Sequence, residues 1–266
     1  MISRLPGLSV PDRAWGVVRR WALAWWRILY LGAVVCVLVL SPSSYGKVTR
    51  RALARHLYLD TAPVLLGFTV LAALISLVLT RIVVVTAISY GLSRYALEMV
   101  IRVLVLELIP LTAALFVAMR CTIPNGTQLA LLRQSGHLAR LSHAGADPIR
   151  VELLPRAVAG VFACITLAAL SCVVALVLAY LGVYGFSLAG LPSYTRMFGH
   201  VFAPAVTLVF VIKTVLFSLA VALIPMAAGL YDTGERTQPD SELGGLARMF
   251  AVLLLIEIGS LVGNYY

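Results

Sequence analysis

Thr61–Thr80, TAPVLLGFTVLAALISLVLT, runs for 20 residues without a charged side chain, and Arg81 follows it. About 20 apolar residues in a helix cross the ~30 Å hydrocarbon core of a bilayer. Similar stretches recur downstream. One runs from about Leu97 to Met119 and carries Glu98, Arg102 and Glu107. Ala157–Thr195 holds no Lys, Arg, Asp or Glu, and Met197–Tyr231 is apolar except for His200 and Lys213. A last stretch from Leu246 to Tyr266 contains Glu257. The reading is an all-α integral membrane protein with five spans, at about 61–82, 97–119, 157–182, 201–227 and 246–266.

Composition supports lipid as the solvent. The chain is 61% apolar and 12% charged, against roughly 25% charged in soluble domains, and its mean hydropathy is +0.98. The net charge of +10 does not point to nucleic acid, because nine of the 21 Lys/Arg fall in residues 1–60 and five in 120–156. Basic flanks beside apolar spans mark cytoplasmic segments. Arg120, Arg133, Arg140, Arg150 and Arg156 therefore place 120–156 inside, whereas 183–200 carries Arg196 alone. With five spans the N-terminus is cytoplasmic and the C-terminus lies outside. Cys36, Cys121, Cys164 and Cys172 show no ligand spacing and read as small packing residues.

The N-terminal region, 1–56, reads differently. Trp15, Val18, Trp21 and Trp25 recur at helical spacing, while Arg13, Arg20 and Arg27 sit seven apart on another face. Such a helix suits the headgroup layer. The run Ile28–Leu40 has 13 apolar residues, about 20 Å as a helix and short for a crossing.

Residues 122–148 read as a cytoplasmic amphipathic helix, opened by Pro124–Asn125–Gly126 and closed by Ala146–Asp147–Pro148. Within the spans, Glu107, Lys213 and Glu257 stand out, since a charge at the bilayer centre costs about 2.5–3.5 kcal/mol on insertion scales. Their positions allow all three near the midplane, with Lys213 free to pair with either carboxylate. Pro110, Pro204 and Pro225 interrupt the backbone ladders of their spans.

Several short motifs share one register. Glu107–Leu108–Ile109–Pro110–Leu111–Thr112–Ala113–Ala114–Leu115 resembles the "ELGPVxTAL" stretch of the MlaE/YrbE family, the permease subunits of ABC lipid transporters that work with MCE proteins. Asp147–Pro148 and Pro155–Arg156 stand where that family has "xDP" and "xPR". Lys213 falls in a stretch similar to its "IKSxxF", and Gly229–Leu230–Tyr231–Asp232 resembles its "GYD". The resemblance covers about 55–266 and assigns 57–266 to an MlaE-like permease domain.

That resemblance implies a multi-pass inner-membrane subunit without catalytic chemistry of its own. The ATPase, with its ATP and Mg, belongs to a partner chain, an MCE protein sits outside, and a second permease copy or paralogue completes a dimer around a lipid path. It places Glu107, Lys213 and Glu257 on the substrate path. Gln128, Arg133, His137, Arg140 and Asp147 fall on the ATPase-coupling surface. The family's helix between spans two and three carries glutamates where this chain has Gln128–Leu129–Ala130 and Gly136–His137, which fits a divergent member of a heterodimer. No G-x-x-x-x-G-K-[ST] loop, G-x-S-x-G elbow or H-E-x-x-H pair is present. Two rival readings are an ion-coupled secondary transporter using the three span charges as a relay, and a non-transporting scaffold of the same complex.

Overall fold

The computed structural model describes residues 10–42, 46–231 and 239–265. Among these, every regular element is a helix. In chain order they are α1 (Val10–Leu40), α2 (Lys47–Ser89), α3 (Ser93–Val100), α4 (Ile109–Val117), α5 (Ile123–Gln134), α6 (His137–His143), α7 (Leu154–Tyr184), α8 (Leu191–Val201), α9 (Pro204–Tyr231) and α10 (Pro239–Tyr265). Three π-helical stretches, Ile101–Leu108, Ala118–Thr122 and Ile149–Leu153, join α3 to α4, α4 to α5, and lead into α7.

The π stretches have one cause. Each ends two residues before a proline: Leu108 before Pro110, Thr122 before Pro124, Leu153 before Pro155. A proline inside an α-helix has no N–H to give and its ring clashes with the carbonyl four residues back. Widening the preceding turn to i→i−5 bonding relieves that clash. Ile109 N–H bonds Leu104 O, Ile123 N–H bonds Ala118 O, and Leu154 N–H bonds Ile149 O. The helix therefore continues through Pro110 and Pro124 instead of stopping.

Six described helices are long and apolar enough to cross a membrane, one more than the five expected. The additional one is Trp21–Leu40. Dividing the sequence at Ile28 left 13 apolar residues, whereas α1 runs unbroken and adds the tryptophan-rich turns before them. Its buried face, Leu31, Val35 and Leu38, joins a cluster with Leu129, Leu138, Leu153, Leu154, Leu223 and Met226. Those partners all sit at the end of the bundle that carries α5 and α6. The side chains of Arg13, Trp15, Val18 and Arg20 lie outside the described residues.

The second expected span does not end at Met119. Tyr95–Gln134 is one 40-residue helical run, so Pro124–Asn125–Gly126 continues a helix instead of opening one. The expected single helix over 122–148 is also divided: α5 stops at Gln134, Gly136 takes φ 71°, and α6 begins at His137. A left-handed position of this kind is where glycine ends a helix. The apolar stretch from 197 to 231 breaks at Phe202–Ala203, which separates α8 from α9, so Pro204 starts a helix and leaves no ladder broken. α2 spans 43 residues, about 65 Å at 1.5 Å per residue. It reaches well past the hydrocarbon core and runs without a break across the 56/57 division.

Three core layers stack along the bundle. The middle one packs Phe68, Ala113, Ala114, Val117, Ala163, Leu167, Phe217, Val221 and Leu253. Alanines at these crossings let helix backbones approach, and close packing is what holds helices together in lipid. The layer at the α5–α6 end holds the α1 contacts, and the opposite layer packs Ile101, Leu104, Val105, Cys172, Ala179 and Val201. Glycines set one crossing outright. A Cβ on Gly229 would lie 2.2 Å from Gly126 O, and one on Gly126 would lie 2.6 Å from Pro225 O. α5 and α9 therefore touch backbone to backbone.

Candidate functional site

Lys213, Glu107 and Glu257 converge from three helical segments: α9, the Ile101–Leu108 π stretch and α10. Lys213 Nζ donates to Glu107 Oε2 in a close ion pair and to Leu106 O at 3.2 Å. Glu257 Oε2 lies 2.9 Å from the same nitrogen, within ion-pair range. The lysine thus pairs with both carboxylates. Its side chain is 1% exposed, against 11% for Glu107 and 15% for Glu257. The Phe217 ring, one turn along α9, has its centroid 5.7 Å from the ammonium.

The backbone helps build this cluster. Pro110 has no N–H to offer Leu106 O, the carbonyl four residues before it, and Lys213 supplies the missing donor. The proline, the π stretch and the lysine form one arrangement. Asn264 Nδ2 donates to Glu107 Oε1 at 3.4 Å. The sequence reading missed Asn264, although its spacing of seven from Glu257 places both on one face of α10.

The expected coupling surface is divided. Gln128, Arg140 and Asp147 are exposed on α5, on α6 and just after it. Arg133 turns inward, and its Nη1 donates to Leu230 O at 2.6 Å. Arg27 Nη1 donates to Tyr231 O at 3.4 Å, with its guanidinium 5.7 Å from the Tyr231 ring centroid. Both arginines serve the carbonyl end of α9, where a helix has unpaired acceptors and a negative pole. His137 Nε2 lies 3.8 Å from Glu152 Oε1. Asp147 pairs with Arg150 at 3.5 Å and accepts from Ile149 N at 3.0 Å. Arg140 Nη2 donates to Ser135 O, which closes the end of α5. Asp232 of the Gly229–Asp232 motif lies outside the described residues.

A second polar group at this end was not anticipated. Asn125 Nδ2 donates to Asp60 Oδ2 at 2.9 Å, and Cys121 Sγ to Asp60 O at 3.2 Å. Arg156, 7% exposed, pairs with Glu152 at 2.9 Å. The two Asp60 bonds tie α2 to α5 and to the π stretch before it, beside the exposed α5–α6 surface, while the Arg156–Glu152 pair stays within the helical run that opens α7. Asn125 and Asp60 are 65 residues apart, and neither belongs to a charged motif, so no local pattern announced them.

The arrangement offers two polar sites in an apolar bundle: a buried charge cluster among the spans and an exposed polar surface at one end. Comparison of the sequence with curated proteins found no match. Residues 53–261 match the family model described as Permease MlaE, well over half of the chain, and the protein belongs to that family.

Proposed function

We propose that this chain is one permease half of an ABC lipid transporter of the inner membrane, driven by an ATPase docked beneath α5 and α6. Membership of the Permease MlaE family makes the chain a permease subunit of a lipid ABC transporter. The separation of two polar sites along one bundle supports the rest. Exposed Gln128, Arg140 and Asp147 stand at one end, where a soluble subunit bearing ATP and Mg has something to press on. The Glu107–Lys213–Glu257 cluster lies farther along, where lipid would pass. Movement of α5 reaches α9 directly, through the Gly126–Gly229 contact and the Arg133 bond to Leu230 O.

In this reading an MCE-type protein meets the opposite end, and a second permease copy or paralogue closes the lipid path. The exposed side of α5 offers Gln128 and no carboxylate, which favours a heterodimer with a chain that supplies the acidic contacts. The N-terminus lies on the cytoplasmic side, with α1 packed along the α5–α6 end. The test is a mild-detergent pull-down of the tagged chain, with co-purifying proteins and lipids identified by mass spectrometry. An ATPase, an MCE protein and retained phospholipid are the expected result, with a second permease-like chain if the complex is a heterodimer. A chain that comes alone and lipid-free overturns the proposal in favour of an ion-coupled transporter or a scaffold. The two are then separated by whether ionophores alter substrate movement.

A further inference from the structure

The buried cluster is unbalanced in charge and in hydrogen bonding. One ammonium, on Lys213, faces two carboxylates, on Glu107 and Glu257. Arg102, the cation nearest along the same helix, is engaged with Glu98 at 3.0 Å. The cluster therefore holds one more acidic group than basic ones, in a setting where an isolated charge is costly. Lys213 has no capacity left for an anionic ligand, since its three donors face Leu106 O, Glu107 Oε2 and Glu257 Oε2.

The unfilled capacity lies on α10. Ser260 Oγ and Asn264 Oδ1 are buried without a hydrogen-bond partner, and Glu257, whose Oε2 pairs with Lys213 at 2.9 Å, stands one turn before them. Ser260 is 6% exposed. Offsets of three and seven residues place these atoms on one helix face, the face whose Glu257 and Asn264 reach Lys213 and Glu107. Buried polar atoms in native proteins find partners, and a row of orphans on one face marks the position of something that supplies them. The row is not sealed, because the Glu257 side chain keeps 15% exposure while Lys213 keeps 1%.

We infer that the Glu257–Ser260–Asn264 face of α10, with Glu107, is a site for the primary ammonium of an aminophospholipid headgroup. The inference rests on the lipid-permease reading and names the substrate class for it. A primary ammonium brings one positive charge to a cluster with a surplus carboxyl, and three N–H donors, enough for Ser260 Oγ, Asn264 Oδ1 and a carboxyl oxygen. A glycerol headgroup brings O–H donors but no charge to set against the surplus carboxyl. A free phosphate or an acidic headgroup adds a further acidic group beside two carboxyls and one ammonium.

The experiment uses the full chain, with whatever subunits co-purify, in nanodiscs of equimolar phosphatidylethanolamine and phosphatidylglycerol with identical acyl chains. After mild detergent stripping, the retained lipid is quantified by mass spectrometry. The wild type is expected to retain phosphatidylethanolamine over phosphatidylglycerol by about tenfold, and Glu257→Gln to bring the two within about twofold. Ser260→Ala, which removes an orphaned hydroxyl and leaves every charge in place, lowers the preference partway and carries the test if Glu257→Gln fails to fold. Equal retention of both lipids by the wild type overturns the inference and leaves the permease reading standing. A preference that survives both substitutions places the selectivity elsewhere and also overturns it. Retention of neither lipid is the separate result that removes the permease reading itself.

Discussion

Lys213 holds the most consequential single side chain in the bundle, because three segments depend on its ammonium. Removing one partner of a buried ion pair costs about 3–5 kcal/mol, since the remaining charge is left unpaired. Lys213→Met leaves two facing carboxylates and an unserved Leu106 carbonyl. We expect it to lower the detergent unfolding midpoint sharply and to abolish lipid movement in a reconstituted transport assay. Combining Lys213→Met with Glu107→Gln and Glu257→Gln is expected to restore much of the stability and none of the transport. Restored transport would show that the charges only hold the helices together. Three charges on otherwise apolar helices were legible in the sequence, because lipid makes each of them conspicuous. Asn264 was not, because an uncharged amide near a chain end carries no such signal until its neighbour across 157 residues is known.

The same distinction separates the arginines of the α5–α6 segment. Arg140 is exposed and Arg133 serves the end of α9. Arg140→Glu should weaken co-purification of the ATPase and leave thermal stability near wild type. Arg133→Glu should do both kinds of damage, because the half-buried Leu230 carbonyl then loses its donor, and a buried acceptor left unserved costs about 1–3 kcal/mol. Equal stability of the two variants in a thermal unfolding assay would show that the bond to Leu230 O carries no weight.

Among the elements, the joint between α5 and α9 is where side-chain volume matters most. Gly229 has no room for a methyl group, since its Cβ would fall 2.2 Å from a backbone oxygen, which cannot swing aside. Gly229→Ala must push α5 off α9, and overpacking of this kind typically costs about 1–3 kcal/mol. Gly259, with nothing within 4 Å of a built Cβ, is the matched control. We expect Gly229→Ala to lower the thermal midpoint and uncouple ATP hydrolysis from lipid movement, with Gly259→Ala near wild type in both. The sequence displayed the apolar spans because their length and lack of charge are local properties. It hid the continuation of the second span into α5, because a proline reads as a stop unless the preceding turn widens to admit it. It hid the close crossing as well, because nothing near Gly126 or Gly229 says that each faces the other.

For the whole molecule, the way α1 lies decides the side on which the N-terminus stands. Length and apolarity qualify Trp21–Leu40 as a crossing, yet its fully buried residues join one layer, and half-buried Ile28 alone among the described residues of α1 also packs against the middle one. Leu31, Val35 and Leu38 extend over about 10 Å of helix at 1.5 Å per residue, and their cluster partners on α7 and α9 fall within residues 154–158 and 219–231. A helix crossing alongside α9 would descend past successive levels of it, down toward Leu208, and that is not where these contacts go. Exposed Trp21, Trp26 and Tyr30 suit the headgroup layer, where aromatic rings gather. Single cysteines at Arg19 and Pro42, both exposed and on either side of the apolar stretch, decide between the two arrangements. The background is Cys36→Ala, because the other three native cysteines are buried. A helix lying along the α5–α6 end puts both labels on the side that also labels Ser135→Cys. A crossing helix puts Arg19→Cys and Pro42→Cys on opposite sides, and a membrane-impermeant maleimide applied to sealed vesicles of known orientation would read that directly.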